Sequence, residues 1–162
     1  MTQGVDGLDA TGIPGQEPRK KNLIGLTREE LKAEMLALGE APFRAKQLWH
    51  WLYHRGETDF EAMTTLHKDF RRRLADTYEV RRPENKVDRL SVDGTRKWLL
   101  RMDDGNEIET VYIPEDDRGT LCVSSQVGCT LTCRFCHTGT MKLVRNLDPA
   151  EIVGQVMLAR DC

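Results

Sequence analysis

Cys129-Thr130-Leu131-Thr132-Cys133-Arg134-Phe135-Cys136 is the segment on which the reading of this chain turns. Its spacing is C-x3-C-x2-C, so three thiolates from one short loop can face a single inorganic centre. An ordinary [4Fe–4S] cluster takes four cysteines, and three leave one iron open to a small chelating ligand. A second reading stays open on spacing alone. His137 follows the last cysteine, and a Cys3His set could hold zinc. Zinc modules of that kind usually add a second, distant pair, and none is present. All five cysteines fall at position 122 or later, namely Cys122, Cys129, Cys133, Cys136 and Cys162. An odd number bunched in this way does not describe a disulfide framework and points to metal or redox chemistry.

Outward from the loop, residues 120–125 read as a strand. On the other side Asp148 caps a helix, Pro149 sits in its first turn, and Ile152, Val153, Val156 and Met157 form its apolar side. Strand, cysteine loop and helix make the opening of a β/α unit. No partner strand follows, so the sequence is expected to be a fragment or a truncated product. Upstream, residues 86–92, 97–102 and 107–113 are short extended runs separated by Asp93-Gly94 and by Asp103-Asp104-Gly105-Asn106. These turns predict an antiparallel meander with Trp98, Leu100 and Met102 on one face. Alternation places Glu109 with Val111 and Ile113. A carboxylate on such an apolar face should have a raised pKa and suit a proton acceptor. Glu107 shares that face, and pattern alone does not choose between the two.

Residues 27–82 carry helical periodicity. Thr27 and Glu30 form a capping-box pattern ahead of Leu31, Met35 and Leu38, with Gly39 placed to end that helix. Pro42 opens a second helix with Ala45, Leu48, Trp49 and Leu52 on one side and Gly56 at its end. A third is expected over residues 63–78, with Met63, Leu66, Phe70 and Leu74 as its stripe. Trp49, Trp51 and Tyr53 read as core or rim. Residues 1–22 read as a disordered tail, residues 23–82 as a helical domain, 83–114 as the meander, and 115–162 as the start of a further domain.

Apolar residues make up 39% and charged residues 31% of the 162, with a net charge of −2. No run approaches the ~20 apolar residues of a membrane helix, and no apolar leader is visible, so a cytoplasmic location is the default expectation. The charge balance does not advertise a nucleic-acid binder. It conceals local basic runs at Arg19, Lys20 and Lys21 and at Arg71, Arg72 and Arg73. The second of these is expected to hold RNA backbone if RNA is the substrate.

The cysteine spacing after a strand, with the aromatic Phe135 before the last cysteine, resembles the radical S-adenosylmethionine (SAM) superfamily. Two longer runs, ETVYIPEDDRGTLCVSSQVGCTLTCRFCHTG (109–139) and LGEAPFRAKQLWHWLYHRG (38–56), closely resemble the RlmN family. The resemblance extends from about residue 22 to about residue 161. It implies an α/β fold, in which the helical domain and meander lead into the start of a truncated radical SAM partial (β/α) barrel. It implies a [4Fe–4S] cluster on Cys129, Cys133 and Cys136, with SAM on the open iron through its amino and carboxylate groups. The implied reaction is methylation of adenine carbon 2 in 23S rRNA and in certain tRNAs, with a flavodoxin-type electron donor. Carbon 2 is not nucleophilic, and a 5′-deoxyadenosyl radical formed from SAM overcomes that by activating a methylated cysteine. By resemblance Cys122 is the resolving cysteine that forms a transient disulfide, and Glu109 is the proton acceptor. The methyl-accepting cysteine is expected downstream of residue 162, so this chain alone is expected to be inactive. Methylation at carbon 8, as in the Cfr-type relatives, and a non-catalytic zinc-binding RNA module are the alternatives.

Overall fold

The computed structural model describes residues 19–130 and 141–162. The expected tail up to residue 18 therefore lies outside the described residues, as do Cys133, Cys136 and His137. The chain enters as a short strand, β1 (Lys21–Asn22), paired in parallel with β2 (Tyr78–Glu79). Lys21 and Asn22, which the sequence reading assigns to the tail, thus stand in a strand. Between these strands lies a helical module of α1 (Arg28–Ala37), α2 (Phe43–Trp49) and α3 (Lys68–Thr77).

The capping box at Thr27 is formed. Thr27 Oγ1 accepts from the Glu30 amide, and the Glu30 carboxylate accepts from the Thr27 amide at 2.7 Å. The second helix does not run evenly to Gly56. After Trp49 it widens into a π-helical turn, His50–Arg55, and Gly56 at φ 71° closes it in the left-handed region.

The third helix is shorter than the periodicity predicts. It begins at Lys68, after a 3-10 turn at Phe60–Ala62 and a bend through Met63 and Leu66. Extended His67 at ψ 144° sets its start. Met63 and Leu66 are still buried, at 0% and 2% exposure. A tight turn joins them, with the Leu66 amide donating to the Met63 carbonyl at 2.9 Å. A turn of about three residues mimics the burial period of a helix, which is why the pattern overreached. Leu31, Met35, Leu48, Leu52, Phe70 and Leu74 close the core around them. Trp51 belongs to that core and donates through Nε1 to Thr65 Oγ1 at 2.7 Å.

The meander is present as β3 (Glu84–Leu90), β4 (Arg96–Arg101) and β5 (Glu107–Pro114), followed by β6 (Gly119–Cys122). The four strands are antiparallel in chain order, with a register shift in β3 between Asn85 and Val87. Trp98, Leu100 and Met102 are buried as expected, at 1%, 0% and 4% exposure. Opposite them on β5 stand Ile108 and Thr110, also buried. The expected strand over 120–125 stops at Cys122. Gln155 explains why: its Oε1 accepts from the Ser124 amide at 2.8 Å and its Nε2 donates to the Ser124 carbonyl at 2.9 Å. A side chain thereby takes both backbone groups that a strand partner would need.

A short pair, β7 (Gln126–Val127) with β8 (Arg145–Asn146), brackets the cysteine loop, and α4 (Pro149–Arg160) follows. Asp148 and Glu151 form its capping box, with Pro149 in the first turn. Its buried side is Gly154, Gln155 and Met157, with Ile152 and Leu158 packed against the sheet core. Val156 was expected on that side but is 46% exposed. Among the described residues no helix is long and apolar enough to cross a membrane.

The helical module is keyed to α4. A Cβ on Gly25 would fall 2.5 Å from the Ala150 amide nitrogen, so the backbone of the first connection lies directly on the helix start. Arg160 donates to the Tyr53 carbonyl at 2.7 Å, and Arg82 pairs with Asp161 at 2.5 Å.

Candidate active site

The loop that carries the three cysteines is pinned at its base. The Cys129 amide donates to the Met141 carbonyl at 3.1 Å, and the Val144 amide to the Val127 carbonyl at 2.9 Å. Cys129 also bridges Lys142 in parallel fashion. Gly128 makes this closure possible. Its φ is +78°, and a Cβ there would sit 2.1 Å from the Lys142 carbonyl oxygen. Below the pin, Arg145 joins three elements. It meets Asp104 of the β4–β5 turn at 2.5 Å and Glu151 of α4 at 2.7 Å. The Arg145 hydrogen bond draws the Asp104 pKa down to about 2, and the two carboxylates raise that of Arg145.

Cys129 is half-buried and held two residues beyond Val127, which belongs to the sheet core. Its position is therefore rigidly tied, whereas the ligand roles of Cys133 and Cys136 fall outside the described residues. The donor chemistry fits a thiophilic centre: a soft sulfur stands at the anchored end of a short loop holding two more. Among the described residues there is no group of three or more His, Cys, Asp or Glu side chains arranged to hold a metal ion.

Glu109 and Cys122 lie on the opposite side of the sheet from Trp98. Cys122 stands directly across from Val111, and Thr120 across from Ile113. Glu109 is two residues from Val111 along β5, so Glu109 and Cys122 are diagonal neighbours on one face, a relation that typically separates Cα atoms by about 7–8 Å. Ser124 extends this line, donating through Oγ to the Glu109 carbonyl at 2.8 Å. The face is open. Cys122 is exposed, and Ile113 is 43% exposed. The expectation of an apolar, burying environment for Glu109 is corrected here. The sheet's burying face carries Ile108 and Thr110, and the Glu109 side chain remains 48% exposed, paired with Lys97 Nζ at 2.6 Å. Val87, Arg89, Lys97, Leu99 and Glu109 line a depression of about 160 Å³ there.

Residues 21–80 match the family model described as the ribosomal RNA large subunit methyltransferase N-terminal domain. The chain is 69% identical over 146 residues to the dual-specificity RNA methyltransferase RlmN of Rhodospirillum rubrum, a match covering 90% of this chain and 34% of that protein. It is 63% identical over 170 residues to the protein of the same name from Rhizorhabdus wittichii, covering 99% of this chain and 42% of the other. The chain is similar to the N-terminal part of the RlmN family. Its fold agrees with the crystal structure of a radical SAM methyltransferase from Sphaerobacter thermophilus, with a TM-score of 0.78 and 41% identity over 87% of this chain and 43% of that one. The chain spans about a third of the length of the first RlmN relatives it matches.

Within the helical module, one sequence expectation loses its basis. Arg71, Arg72 and Arg73 do not form a common basic face. Arg71 turns to the carbonyl and carboxylate of Glu61. Arg73 pairs with Glu40 and donates to the Leu38 carbonyl at 2.8 Å. Consecutive helix positions point about 100° apart, so a run of three in sequence is not a patch in space. Sequence reasoning also missed Lys97, Gln155 and Arg145. Lys97 becomes visible once the β4–β5 register is known, because Leu99 faces Glu109 and Lys97 is the next residue on that side. Gln155 and Arg145 act across elements remote in sequence, and no local pattern announces them.

Proposed function

We propose that this chain contributes the cluster loop, the resolving thiol and the proton acceptor of a radical SAM enzyme that methylates carbon 2 of adenosine in 23S rRNA and in certain tRNAs. The observation that carries the reading is the strand register that sets Cys122 and Glu109 side by side on one open sheet face. In this reading residues 23–82 are the helical domain, 83–114 the meander and 115–162 the opening of a partial (β/α) barrel.

Cys129, Cys133 and Cys136 would hold a [4Fe–4S] cluster whose fourth iron takes SAM. When bound, that pair supplies the one-electron chemistry needed to functionalise an unreactive ring carbon. The remaining work belongs to side chains. Glu109 accepts the proton from carbon 2, and Lys97 at 2.6 Å fixes where its carboxylate points. The Cys122 thiolate attacks the sulfur that carries the transferred carbon: a disulfide forms, the sulfur–carbon bond breaks with its electron pair passing to the carbon and the ring, and a proton then completes the methyl group. The exposure of Cys122 leaves the thiol accessible to that partner. The target adenine must leave its stack to reach them. A flavodoxin-type donor in the cytoplasm would supply the electrons.

Two measurements test the proposal. Anaerobic reconstitution with iron and sulfide should give a brown protein absorbing near roughly 400 nm, and Cys129→Ala should abolish the colour. A colourless, zinc-loaded product would reject the cluster. In a chain extended to the length of the relatives, Glu109→Gln and Cys122→Ala should each abolish RNA methylation, with mass mapping of the parent's product placing the methyl group on carbon 2. A methyl group on carbon 8 would favour the Cfr-type reaction instead.

A further inference from the structure

Two basic side chains without an acidic partner meet away from the basic runs of the sequence. Among the described residues, Arg28 of α1 and Lys46 of α2 form no ion pair, and both are exposed. They border the same cavity, a groove of about 290 Å³ between the two helices. Pro42, Ala45 and Trp49 supply its apolar floor, and Lys32 completes a basic rim. Glu29, its one acid, is engaged by Lys32 at 3.7 Å. The Arg28 guanidinium lies over the Trp49 ring at 5.0 Å, which holds the cation at the groove rather than free in solvent. Trp49 is braced in turn by Tyr53, their ring centroids 4.3 Å apart. The π-helical turn carries His50 and His54, stacked at 5.1 Å, onto the lining as well.

We infer that the α1–α2 groove is the RNA-backbone site of the helical module, with Arg28 and Lys46 on phosphates and the Trp49–Pro42 floor against ribose. This rests on the RNA-modifying reading and says where in the chain the RNA is gripped. The whole chain carries a net charge of −2, and the three arginines of α3 pair with Glu61, Asp69 and Glu40. A cavity with three cations, one engaged acid and an apolar floor is complementary to a polyanion that also presents apolar sugar faces.

The test is fluorescence anisotropy of the 162-residue chain with a fluorescein-labelled RNA stem–loop bearing an unpaired adenosine. The double variant Arg28→Ala/Lys46→Ala should weaken binding about tenfold and lower the slope of log affinity against log salt by roughly 1.5, as expected for two lost phosphate contacts. Arg28→Lys/Lys46→Arg should restore most of the affinity. Lys68→Ala/Arg72→Ala on α3, with the same change in net charge, should shift affinity less than about twofold. Parental affinity in the Arg28→Ala/Lys46→Ala variant, or an equal loss in the α3 control, overturns the groove while leaving the reaction untouched. Displacement of RNA by polyglutamate as readily as by unlabelled RNA also overturns it. No binding of RNA by the parent chain would count against the RNA reading itself.

Discussion

The helical module and the four-stranded sheet solve the burial problem differently. The helices close around their apolar residues from several directions, with Leu23, Met35, Leu48, Leu52, Met63 and Leu74 all at 0% exposure. Among the described residues the sheet has one covered face. Trp98, Leu100 and Ile108 lie beneath α4, while Val87, Ile113 and Cys122 look outward. A three-dimensional core fixes a module by packing alone, whereas a one-sided sheet leaves a platform on which chemistry can be mounted. The proposed base and thiol both stand on that platform.

The largest test of this contrast is a matched pair of leucines. Leu48→Ala should lose about 2–5 kcal/mol in urea denaturation, because a closed core cannot relax to fill the cavity. Leu99→Ala, on the open sheet face, should lose less than about 1 kcal/mol. Equal losses would mean that the outer face is as tightly packed as the helical core. Next comes Gln155→Leu, which strands the Ser124 amide and the Thr110 hydroxyl now bonded at 2.8 Å. A cost of roughly 2–4 kcal/mol is expected, together with faster hydrogen exchange at Ser124, since unpartnered buried groups cost about 1–3 kcal/mol each. Preserved stability would show that Gln155 serves only as filler.

Smaller effects test the helix starts in both regions. Thr27→Ala and Asp148→Ala each remove a capping box and should cost about 1 kcal/mol, measured by thermal melts. The smallest is a pH effect confined to the sheet side. Asp104 has its pKa depressed to about 2 by Arg145, below the unfolded value of about 4. Its contribution is therefore complete above pH ~4 and is lost as pH falls toward 2. Asp104→Asn should flatten that part of the stability–pH curve, and an unchanged acid limb would show that the Arg145 junction is not coupled to folding.

Much of the local architecture was legible in the sequence. The capping boxes at Thr27 and Asp148 need only residues three apart, and the meander needs only alternation between turn signals. The length of α3 was not legible, because the turn through Met63 and Leu66 buries residues at helical intervals without being a helix. Alternation places Glu109 on the strand face of Val111 and Ile113, as the register shows, but those two residues make that face read as apolar and covered. Which side of a strand is covered depends on what packs against it, and α4 lies more than thirty residues downstream.

The sequence by itself determined what is encoded over a few consecutive residues: caps, turns, strand alternation and the C-x3-C-x2-C spacing with its soft donors. The tertiary structure alone decided which cations remain unpaired, that Gln155 stands in for a strand neighbour, and that Glu109 and Cys122 share one open face. Those facts depend on contacts between residues distant along the chain, whose pairing is set by register and packing rather than by spacing.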